Sequence, residues 1–143
     1  MSRYLYLVRH GEQLDAEHGL PDGPQAWRVL GICEDAFEAF FGGITEEEIA
    51  AGEAQMTDAT AEWIAPARED RHELLITHNF VIGWFVRETF GAAPWRWLGV
   101  NQANCGLTII RVRSAKPAVL VTHNDLGHLP PELRTGLSVE QPY

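Results

Sequence analysis

The feature that most restricts this chain is a short β-rich apolar run that stops at a histidine-bearing turn, and then recurs. Residues 4–8 end in Arg9-His10-Gly11, residues 73–77 end in His78-Asn79, and residues 118–122 end in His123-Asn124. Runs this short, rich in branched and aromatic side chains, predict strands rather than helices. Helical patterns stand between them. Thr45 followed by Glu48 predicts a capping box, and Ile49, Met56 and Trp63 then share one apolar stripe, which Pro66 closes. Residues 79–90 predict a second helix, stopped by Gly91.

Alternating strands and helices predict an α/β domain of three layers, helices on both faces of a mostly parallel sheet. A single domain over residues 1–143 is expected. Residues 107–113 and 118–122 are joined by a linker short enough for an antiparallel pair. Residues 14–24 predict a loop, and residues 25–41 an interrupted helical segment ended by Gly42-Gly43. Residues 95–105 predict a loop with Trp95 and Trp97 as packing anchors, and the tail beyond His128 is irregular.

Composition narrows the partners. A formal net charge of −9 argues against nucleic acid or an anionic membrane, which demand clustered Lys and Arg. The N-terminal apolar run ends at Arg9 without signal-peptide architecture, and residues 80–86 are too short to span a bilayer. A cytoplasmic protein is the expectation. Cys33 and Cys105 are expected as free thiols, and no Cys/His spacing suits a structural zinc. Neither a metal nor a cofactor is called for.

In α/β sheets, ligands gather at the carboxyl ends of strands, where Arg9-His10-Gly11-Glu12 falls. Arg9 offers a planar, permanently charged fork matched to phosphate. His10 offers a neutral ring nitrogen as nucleophile, provided its other nitrogen donates to a carbonyl. Gly11 lets the backbone approach an anion without a Cβ. Taken alone, Arg-His-Gly is as readily a simple turn. His78 and Asn79 stand where a helix N-terminus would meet the same sheet edge, which suits an anion. His123 is expected as a turn residue and His128 as a structural residue beside the last strand. Glu46-Glu47-Glu48 is expected as a helix start.

On Leu7-Val8-Arg9-His10-Gly11-Glu12 and Thr77-His78-Asn79, with 104–109 and 124–129 in agreement, the chain resembles the histidine phosphatase superfamily, phosphoglycerate-mutase-like branch. The resemblance implies a phosphohistidine intermediate on His10, with Arg9 and His78 holding the phosphoryl group; Gly11 and Asn79 are the further phosphate-binding candidates. It implies a metal-independent phosphomonoester hydrolase acting on a small phosphorylated metabolite. Family members carry, between the two histidines, a helix with a second phosphate-binding Arg and a further strand with a carboxylic acid. Here that middle segment is shortened. Arg28 is the candidate stand-in for the second Arg, and Glu34, beside Asp35, is the candidate general acid. The expected partner is a small phosphorylated substrate or inorganic phosphate, and a homo-oligomer if shortening leaves apolar sheet surface bare. The alternative is a non-catalytic phospho-ligand binder, or a structural oligomer-forming relative, lacking the second Arg and the acid.

Overall fold

The computed structural model describes residues 1–11, 45–97 and 99–136. Four strands form one sheet: β1 (Ser2–Arg9), β2 (Arg71–Thr77), β3 (Leu107–Arg113) and β4 (Lys116–Asp125). Their order is β2-β1-β3-β4. β1 runs parallel to β2 but antiparallel to β3, and β3 antiparallel to β4. The sheet is therefore mixed rather than mostly parallel. The cause is local: Ser114 and Ala115 turn the chain straight back from β3 into β4, with Ala115 at φ 58°. A parallel return would need a crossover of a dozen or more residues. The strand also runs on to Asp125, so His123 lies within β4 and not in a turn.

Alternation along β1 decides which face is covered. Arg3, Leu5 and Leu7 are buried on one face, and Tyr4, Tyr6 and Val8 are half-buried on the other. Helix α1 (Glu46–Trp63) and helix α2 (Asn79–Thr89) both pack on the first face. The core there joins Leu5, Leu7 and Ile110 to Ile82, Phe85 and Val86, with Met56 and Trp63 at its margin. Among the described residues no α-helix covers the other face, and residues 25–41, where a helical segment is expected, lie outside the described residues.

The expected capping box opens α1. Thr45 Oγ1 accepts from Glu48 N–H at 3.2 Å, and Glu48 Oε2 accepts from Thr45 N–H at 2.8 Å. Its other end is held by Arg3, which donates to the carbonyls of Glu62 (2.7 Å) and Ala65 (3.3 Å) while paired with Glu73 on β2. The guanidinium also stacks over Trp63 at 5.1 Å. One buried cation thus ties β1, β2 and α1 together. Helix α2 lies close against the short 3₁₀ turn Pro94–Trp97: a Cβ on Gly83 would stand 2.7 Å from the Trp97 carbonyl oxygen. No described helix is long and apolar enough to cross a membrane.

Candidate active site

Parallel pairing of β1 with β2 puts Arg9 opposite Thr77, so the next residue of each strand, His10 and His78, emerges at the same edge. His10 N–H donates to the Thr77 carbonyl at 3.0 Å, continuing the pairing by one step. The two imidazoles meet edge to face, with ring centroids 4.9 Å apart and an interplanar angle of 72°. That is close enough for one tetrahedral oxyanion to contact both rings at ordinary hydrogen-bond distances.

His10 Nδ1 lies 2.7 Å from the Gly11 carbonyl oxygen. A carbonyl only accepts, so Nδ1 carries a proton, and Nε2 is the nitrogen whose lone pair is available in the neutral ring. Gly11 is exposed, and among the described residues a Cβ there would meet only Cys105 Sγ, at an ordinary 3.7 Å. Its observed contribution is the carbonyl that orients His10. His78 is the N-cap of α2, with extended backbone, and its carbonyl accepts from Ile82 N–H at 3.1 Å. No side chain caps this helix start, so partial positive charge is directed toward the space beside the imidazoles.

Arg9 is held by its Nη1, which donates to the carbonyls of Gln102 (2.5 Å) and Gly136 (3.3 Å). Gly136 adopts φ 88° against Asn104, whose N–H donates to the Thr135 carbonyl. Asn79, expected to bind phosphate, has its side-chain amide occupied differently. Its Nδ2 donates to Asn101 Oδ1 and its Oδ1 accepts from Gln102 N–H, both at 2.7 Å. The side chain therefore fixes the loop whose carbonyl fixes Arg9, and only its backbone N–H, at the first turn of α2, is placed to serve an anion.

Sequence reasoning missed the network beneath this loop. Gln102 is fully buried and its Oε1 accepts from Thr108 Oγ1 at 2.9 Å. Thr108 Oγ1 in turn accepts from Asn124 N–H, and Asn124 Oδ1 accepts from Ala103 N–H at 2.9 Å. Asn124 sits at φ 53°, and a Cβ on Gly106 would collide with its Oδ1 at 2.3 Å. The recurring Asn and Gly in 104–106 and 124–127 were the only local sign of it. Glu34 and Arg28 lie outside the described residues. Among the described residues, no three His, Cys, Asp or Glu side chains converge as a metal-binding group.

The sequence profile of the histidine phosphatase superfamily (branch 1) matches residues 33–125. That span contains His78 and begins after Arg9 and His10. The mitochondrial serine/threonine-protein phosphatase Pgam5 of Caenorhabditis elegans is 36% identical over 64 residues, 45% of this chain and 22% of that protein. Its Caenorhabditis briggsae counterpart is 31% identical over 64 residues, 45% of this chain and 23% of that protein. The similarity thus spans less than a quarter of these curated relatives. Among solved structures, a phosphoglycerate mutase from Plasmodium falciparum shares the fold with a TM-score of 0.50 at 18% identity, covering 90% of this chain and 94% of that one.

Proposed function

Because the chain belongs to the histidine phosphatase superfamily, we propose that it hydrolyses small phosphomonoesters without a metal ion, through a phosphohistidine on His10. Nε2 of His10 attacks phosphorus, an N–P bond forms, and the ester P–O bond breaks. The departing alkoxide takes a proton, for which Glu34 is the proposed donor. Water then attacks the phosphohistidine, releasing inorganic phosphate and restoring the imidazole. Arg9 and His78 stabilise the charge spread over the phosphoryl oxygens.

The observation that carries this reading is the pair of rings 4.9 Å apart with the His10 tautomer fixed by Gly11. A nucleophile and a second imidazole converge on one small volume next to an uncapped helix start. The test is turnover of p-nitrophenyl phosphate with and without EDTA, alongside trapping of acid-labile phosphohistidine. Activity is expected to survive chelation, and His10→Ala is expected to lower it by about a thousandfold or more, the scale of losing a covalent nucleophile. Chelator-sensitive turnover, or turnover that persists in His10→Ala, would reject the mechanism.

A second reading has one observation in its favour. Nη1 of Arg9 is committed to two backbone carbonyls, which suits a phospho-ligand binder that holds its anion without turning it over. Thermal stabilisation by vanadate or inorganic phosphate in a protein that forms no phosphohistidine would favour it.

A further inference from the structure

Building on the phosphatase reading, we infer that the alcohol part of the substrate is an apolar aromatic group seated between α1 and α2. A cavity of about 360 Å³ opens there, with His78 and Thr77 in its wall. His78 belongs to both places: it lines the cavity, and its ring lies 4.9 Å from that of His10. The rest of the lining is chiefly Met56, Phe80, Trp84 and Trp97. Phe80 meets Trp97 edge to face at 5.1 Å, and Trp84 tilts against Trp97 at 6.4 Å. Rings so arranged favour a further aromatic ring.

Charge makes the same selection from the other side. Among the described residues, no Lys, Arg, Asp or Glu lines the cavity. Against these described walls a substrate carboxylate would meet no Lys or Arg, and a polyol would find few partners for its hydroxyls. The size is right for a ligand of one or two rings.

The test compares benzyl phosphate with glycerol 3-phosphate, two alkyl monoesters whose alcohols are of similar acidity, so that intrinsic reactivity largely cancels. Benzyl phosphate is expected to have the higher kcat/KM by about tenfold to a hundredfold, the scale of burying one aromatic side chain. Ala59→Phe, which fills the cavity, and Gln55→Trp, which crowds it from an exposed position on the same wall, are each expected to pull that ratio toward one. Thermal unfolding of both variants checks that they fold. A wild-type ratio near one, or a ratio unchanged in folded variants, would overturn the aromatic subsite and leave the phosphatase reading standing. If no monoester is hydrolysed and no phosphohistidine forms, the phosphatase reading fails and the subsite falls with it.

Discussion

At the scale of single residues, the clearest energetic commitment is Arg3. It is buried, yet its charge is met by Glu73, two carbonyls and an indole face. The hydrogen bond from Arg3 holds the Glu73 carboxyl below the usual carboxylate range, against a smaller opposing effect of burial. A carboxylate with a lowered folded pKa contributes stability above its unfolded pKa of about 4.3, and the contribution is lost as pH falls through the lower folded value. Glu73→Gln is therefore expected to destabilise at pH 7 by about 1 kcal/mol, a modest figure because the carboxylate is partly exposed. It should also flatten the loss of stability on acidification below about pH 4.3. Urea unfolding at several pH values measures both. The same scale shows what the sequence disclosed about the site. That Arg9, His10 and His78 gather at one sheet edge was legible because each adjoins the end of a strand that its own neighbours define. Gln102, Thr108 and Asn124 were not, because their roles arise from contacts between distant segments that no local pattern encodes.

At the scale of elements, the capping box of α1 and the glycine stop of α2 were written locally and formed as expected, with Gly91 at φ 56° beyond the helix end. Strand direction was less legible. β2 follows a helix and β4 follows a turn, so two strands of similar composition enter the sheet by different geometries. Gly83 shows the same limit. Nothing in residues 79–90 says that this glycine faces a backbone carbonyl, yet any Cβ there meets the Trp97 oxygen. Gly83→Ala is expected to destabilise by about 1–3 kcal/mol, the usual cost of overpacking a buried contact, despite the gain in helix propensity. Calorimetry would show it as a lower Tm; an unchanged or higher Tm would mean that α2 and the Pro94–Trp97 turn separate freely. Because His78 begins α2, the variant should also weaken inorganic phosphate binding.

For the molecule as a whole, the two faces of the sheet differ. One carries the core and both described helices. On the other, His72 is stacked between Tyr4 and Tyr6, with ring centroids 4.9 and 5.7 Å away, and accepts or donates a hydrogen bond at Tyr6 Oη. Leu74 and Ile76 on the same face are 65% and 70% exposed. Among the described strands, β1 and β3 have neighbours on both sides, while β2 and β4 each have one. Amide hydrogen exchange should therefore be slowest in β1 and β3 and faster in β2 and β4, as central strands open only with global unfolding. Faster exchange in β1 than in β2 would contradict the strand order.

Neighbouring strands of any sheet lie about 4.7–4.9 Å apart, and His10 and His78 leave one sheet edge because each follows the last residue of one of two neighbouring strands. The backbone acts as the ruler for where the two side chains start, and its interstrand spacing varies little from one sheet to another. Changes in surrounding loops can alter what is admitted and how well it is gripped long before they alter the span to be bridged. A chemistry tuned to that spacing is one that a chain can shed much of its periphery without losing.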